Sequence, residues 1–152
     1  MSHGDPVETA VRQLHVMAGA FMGGVLVYTA MAVWVVRAGA LGLGAEIGGE
    51  VLGLVGLVAA LLLVLAPVVR RRILAAGRPE DRGELTALWI RGSIAGLAVR
   101  EGAGLLGITI SLLAGSVPWI LGFGLASVAA MGLAWPRGEE LREAIRRLEA
   151  GA

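Results

Sequence analysis

The sequence predicts an all-α polytopic membrane protein, a four-transmembrane-helix bundle forming one domain over residues 1–152 with both termini cytoplasmic. Three observations lead there. Hydrophobic residues make up 57% of the chain and charged residues 16%, against about 25% charged in an ordinary soluble domain, so polar surface is too scarce to cover a water-exposed fold. Four apolar runs are each long enough to cross a hydrocarbon core of about 30 Å at ~1.5 Å per helical residue. The arginines, which supply all 13 positive charges, are shared unequally between the segments that join those runs.

The first run, about 16–36, follows a polar segment, MSHGDPVETAVRQLH. Asp5 and Glu8 there, and the lack of a small-residue cleavage site, do not fit a signal peptide, so this span is expected to remain in the mature chain. The second run, about 51–69, holds the uninterrupted AALLLVLAPVV. The third, about 87–114, is the one with charges inside it, and the fourth runs over about 118–135. Trp34, Trp89, Trp119 and Trp135 fall near the ends of these runs, where amphipathic indoles favour the membrane interface.

The connections orient the bundle. Arg12, Arg70, Arg71, Arg72, Arg78, Arg82, Arg137, Arg142, Arg146 and Arg147 fall in the N-terminal segment, the cytoplasmic loop 70–86 and the tail 136–152, whereas the other side holds Arg37 beside Glu46 and Glu50. The positive-inside rule then puts both termini in the cytoplasm. The glycine-rich link RAGALGLGAEIGGE is expected to form a short re-entrant or surface element, and the tight GSVP turn makes spans three and four antiparallel neighbours. In the cytoplasmic loop, Gly77 is a helix stop and Pro79-Glu80-Asp81 a helix start. The tail sets Leu141, Ile145 and Leu148 on one face, with Glu143 and Arg147 four apart. That pattern fits an interfacial helix or a solvated end equally well.

Helix packing is expected at small residues, which let backbones approach where lipid removes the hydrophobic drive between helices. Gly19 and Gly23 form one G-x-x-x-G pair and Gly92 and Gly96 another. Gly104 and Gly107 extend the third span's series, and Gly122, Ala126, Ala130 and Ala134 make a stripe in the fourth.

Arg100 and Glu101 are the candidate site. Near the centre of the third span, each costs from about 2.5 to more than 10 kcal/mol unless compensated. Adjacent helical residues point about 100° apart. Arg100 therefore joins the stripe of Gly96, Ala103 and Gly107, and Glu101 the face of Leu97, Ala98, Gly104 and Leu105. With no opposite charge inside another span, their partners are hydroxyls such as Ser93, Thr109 or Ser127, backbone carbonyls, water, a second copy or another membrane subunit. A polar clamp and an ion or proton site both remain open.

The stretch AAGRPEDRGELTALWIRGSIAGLAVREGAGLLGITISLL resembles the proteolipid c subunit of rotary ATP synthases. The resemblance implies that Arg78, Pro79 and Glu80 correspond to the family's polar loop. It also implies that Glu101, set in A-x-x-E and followed by Gly107, is an ion-carrying carboxylate. The chain differs from that family in its bulky second span, in Arg100 beside the carboxylate and in carrying the glutamate in the third of four spans.

Other chemistries find no residues. No cysteine is present for disulfide exchange or iron–sulfur ligation. His3 and His15 lie outside the spans, so paired haem ligation fails, and no metal-binding His-Glu motif occurs. No cofactor, metal or nucleic acid is expected. The sequence-based expectation is a non-enzymatic, multi-pass protein of a bacterial inner membrane, a small accessory subunit bearing a buried Arg100/Glu101 contact. The alternative is a c-like proteolipid that moves protons or cations through Glu101.

Overall fold

In a computed structural model of the protein, residues 6–39 and 47–150 are described, and they form five α-helices. These are α1 (Pro6–Ala38), α2 (Gly49–Ala76), α3 (Arg82–Leu113), α4 (Val117–Leu133) and α5 (Gly138–Glu149). Four helical stretches are long and apolar enough to cross a membrane: Val7–Ala38, Gly49–Ala76, Arg82–Leu113 and α4 run on with α5, Val117–Glu149. The 17 residues of α4 alone extend about 26 Å, the short end of the spanning range. Most of the link between α1 and α2, with its expected re-entrant element, lies outside the described residues.

α3 is the hub. It packs on α1, α2, α4 and α5, α1 also packs on α4, and α1 and α2 do not meet among the described residues. The reason is in its side chains. Gly92, Ser93, Gly96, Ala103, Gly104 and Gly107 are all buried, and small residues three and four apart present flat helix faces in more than one direction. A Cβ on Gly92 would touch Leu74 of α2 at 3.4 Å, whereas one on Gly104 or Gly107 would run into Ser127 or the Phe123 ring of α4. α2 is buried only at Leu52, Ala59 and Ala66, a seam with a period of seven. Its other side leaves Leu54, Leu57, Leu61 and Val64 more than half exposed. So much contiguous apolar surface is unsuited to water and suited to lipid.

Two apolar clusters hold the bundle. One joins Ala18, Val25 and Ala32 of α1 to Leu97 and Ile108 of α3 and Ile120 and Met131 of α4. The other, at the end where α5 returns, joins Leu14, Trp89, Leu141 and Ile145. The C-terminal helix thus lays Leu141 and Ile145 on α1 and α3, while Leu148 is half-buried beside a cleft. His15 ties the same end together: its Nε2 lies 2.9 Å from the Pro136 carbonyl oxygen, which can only accept, so this nitrogen carries the proton. The His15 ring also stacks on Trp135 at 5.1 Å.

Several expectations need correction. Trp89 is 3% exposed, a core residue rather than an interfacial indole, because α5 covers it. The segment expected as loop 70–86 is mostly helix: nothing interrupts α2 before Gly77, and Leu74 continues its contact with α3 at Gly92. Gly77 is needed there for space, since a Cβ would overlap Leu88. α3 begins at Arg82, not at Pro79. Asp81 caps it by accepting from the Glu84 N–H at 2.8 Å, and the Glu84 carboxylate accepts from the Glu80 N–H at 2.9 Å, one residue before the N-cap that a capping box would use. Gly19 and Gly23 have open space beside them, because Ala18 and Val25 take the inward face of α1. In α4 the buried series is Ile120, Gly124, Ser127 and Met131, with Gly122 and Ala126 outward. The α3–α4 turn is as tight as its sequence suggests, with Gly115 at φ +66°, a left-handed conformation that glycine adopts without strain.

Candidate functional site

Arg100 and Glu101 leave α3 in different directions, and the surroundings of each follow from the helices on that side. Arg100 is buried, 9% exposed, and its Nη1 donates to the Gly96 carbonyl at 2.7 Å. Side chains on a helix lean toward its N-terminus, so the guanidinium lies one turn back from its own Cα. Gly96 makes the room: a Cβ there would sit 3.2 Å from Arg100 Nη1 and 3.6 Å from the Cβ of Arg70 on α2. The Arg100 charge is thereby carried toward the arginine-rich end of α2. Its backbone carbonyl accepts from Ser127 Oγ of α4 at 2.9 Å.

The guanidinium enters a cavity of about 390 Å³ between the α2 and α4 sides of α3, two helices that barely touch. Arg70, Arg71, Arg100 and Arg137 line it with Glu140. Arg70 pairs with Glu140 at 2.5 Å. Four guanidinium groups against one carboxylate leave a formal excess of three positive charges. Ser93, 6% exposed, also lines the cavity, and its Oγ has no hydrogen-bond partner. A buried hydroxyl left unpaired is costly, and a ligand or water reaching it from the cavity would supply the missing partner.

Glu101 faces α1. Its Oε1 would be 3.6 Å from a Cβ on Gly24, so the missing side chain of that glycine lets the carboxylate lie against α1. The residue is half-buried, and no hydrogen bond or ion pair joins it to any described residue. Hydroxyls elsewhere on these two helices are committed to other partners: Thr109 Oγ1 donates to the Leu105 carbonyl at 2.7 Å and lies 3.0 Å from Tyr28 Oη, while Thr29 Oγ1 donates to the Val25 carbonyl at 2.7 Å.

Of the other candidates, Gly92 and Gly96 lie against α2, and Gly104 and Gly107 against α4. Arg78, Pro79 and Glu80 form the short α2–α3 connection, where Pro79 borders a cleft shared with Glu143, Arg147 and Leu148 of α5. They lie more than 20 residues before Glu101 in the chain. No cluster of metal-ligating side chains occurs among the described residues.

Sequence reading offered Ser93 as a polar partner but missed Arg70, Arg71 and Arg137 as neighbours of Arg100. A partial signal was present. Leu63, Pro67, Arg70 and Arg71 share one face of α2 at i, i+4, i+7 and i+8, and Ser93, Leu97 and Arg100 share one face of α3 at i, i+4 and i+7. Which face meets which helix was not readable from spacing. No family model, curated protein or solved structure matches the chain. By length and composition, four of its helical stretches are able to cross a membrane, the pattern of a multi-pass helical membrane protein.

Proposed function

We propose that this chain is a non-enzymatic protein of a bacterial inner membrane, with both termini cytoplasmic. In this reading it is a small accessory subunit that engages a second copy or another membrane subunit through the Glu101 side of α3. The observation that carries the proposal is the unpartnered Glu101 carboxylate at the α1–α3 seam. A carboxylate within a spanning helix needs a donor or a counter-charge, and the one adjacent cation, Arg100, is turned into a different cavity. Gly23 and Gly102, the neighbours of Gly24 and Glu101, have open space beside them, which suits close approach by another helix.

The test is association in the membrane. Full-length wild-type chain, recovered in mild detergent, is expected as a homo-oligomer or with a stoichiometric membrane partner. Glu101→Gln should weaken that association about 5- to 30-fold, the range for losing one or two kcal/mol of intramembrane polar contact. Equal monomer content for wild type and variant would sink the docking reading.

A second reading draws on the same geometry. Because Arg100 does not neutralise it, Glu101 is also suited to exchange protons or cations, as the resemblance to c-subunit proteolipids implies. Carbodiimide labelling of Glu101 that varies with pH, with flux in proteoliposomes abolished by Glu101→Gln at unchanged assembly, would favour this reading over docking.

A further inference from the structure

The cavity on the opposite side of α3 has its own chemistry. Its floor is polar and buried, with the Arg100 guanidinium and the unpaired Ser93 hydroxyl. Its rim holds Arg70, Arg71 and Arg137. Its flanks are apolar, Leu63 on α2 and the 86%-exposed Leu133 on α4. The single carboxylate, Glu140, is engaged by Arg70.

From this arrangement we propose that the cavity between α2 and α4 is a binding site for a phosphate-bearing anion, the headgroup of an acidic phospholipid. Guanidinium groups match phosphate oxygens with paired donors. Arg71 and Arg137 are exposed at the rim and free to close over a phosphodiester, while Arg100 supplies positive charge from below. The Ser93 hydroxyl, lacking any partner in the chain, donates to the same anion. A free inorganic phosphate would satisfy the guanidiniums, but it makes no use of the apolar flanks, which extend along the outward faces of α2 and α4 where acyl chains would lie. Basic recesses between spanning helices at the cytoplasmic side are suited to such headgroups. The inference uses the membrane placement proposed above and is independent of what binds Glu101.

The test uses full-length chain extracted from the membrane fraction, so failure to insert would appear as absence from that fraction, separate from failure to bind. Delipidated protein in neutral detergent is titrated with phosphatidylglycerol, with phosphatidylcholine of the same acyl chains, or with inorganic phosphate, and adducts are counted by native mass spectrometry. Phosphatidylglycerol is expected to bind at least about tenfold more tightly than phosphatidylcholine. The double variant Arg71→Gln/Arg137→Gln, which touches only exposed rim residues, should lose about 25-fold of that affinity, at about fivefold per arginine. Ser93→Ala should weaken binding without altering the fold. As a charge-matched control, Arg72→Gln/Arg91→Gln removes two exposed arginines that do not line the cavity and should leave affinity within about twofold. Equal loss in the control would mean diffuse surface attraction and overturn the site. Inorganic phosphate binding as tightly as the lipid would overturn the lipid as its source.

Discussion

The two sides of α3 at Arg100 and Glu101 differ in how the chain treats a charge. On the Arg100 side three helices converge. Gly96 makes room for the guanidinium, a backbone carbonyl accepts from it, and Ser127 of α4 grips the carbonyl of the same residue. On the Glu101 side the carboxylate lies against Gly24 of α1, and nothing among the described residues bonds it. The enclosed guanidinium keeps one acceptor within the chain, the Gly96 carbonyl, whereas the carboxylate on the two-helix seam has none among the described residues. The contrast follows from packing: α2 and α4 reach α3 through Gly92, Gly96, Gly104 and Gly107, whereas α1 meets Glu101 at Gly24 and reaches α3 again where Tyr28 contacts Thr109.

The strongest test of that contrast is Gly107→Ala. A Cβ at Gly107 would overlap the Phe123 ring, so that ring must turn away or α3 and α4 must separate. The expected cost is about 1–3 kcal/mol, the range for overpacking a close contact, read as a lower midpoint in denaturing-detergent titration. Gly19→Ala is the matched control, because its Cβ meets open space. It should leave stability unchanged or raise it by up to ~1 kcal/mol through helix propensity. Similar losses at both positions would mean that glycine packing does not distinguish the two sides.

How much of this was legible in the sequence follows the same division. The four long apolar runs were readable, as were the stop at Gly77 and the turn at Gly115, whereas the start of α3 was placed too early because the cap made by Asp81 and Glu84 is seen only once both side chains are placed. Gly92, Gly96, Gly104 and Gly107 could be singled out because small residues recur at helical spacing. Gly19 and Gly23 have the same spacing but face outward, since a spacing rule carries no information on which face another helix covers. The burial of Trp89 depends on α5 folding back over 50 residues away, and the grouping of Arg70, Arg137 and Arg100 depends on how three helices are arranged. Neither leaves a mark in any single segment.

Ser127→Ala probes the Arg100 side more gently. The Ser127 hydroxyl donates to the Arg100 carbonyl at 2.9 Å, and its loss should cost about 1 kcal/mol by the same titration, with no change in association through Glu101. If association changed as well, the two sides of α3 would be coupled and the division drawn above would fail.

The smallest effect is expected at Tyr28, on the seam shared by α1 and α3. Thr109 Oγ1 already donates its single proton to the Leu105 carbonyl at 2.7 Å, so in the 3.0 Å contact with Tyr28 it is the phenol that donates. Tyr28→Phe therefore removes one donor and leaves no buried donor unpaired. Intramembrane hydrogen bonds of this kind average about 0.6 kcal/mol, and that is the expected loss. The informative measurement is a double-mutant cycle with Glu101→Gln. If Glu101 has no partner on α1, the two substitutions should add to within about 0.5 kcal/mol. A larger coupling would place Glu101 inside the Tyr28–Thr109 network, satisfied within the chain, and would remove the premise that its partner comes from outside.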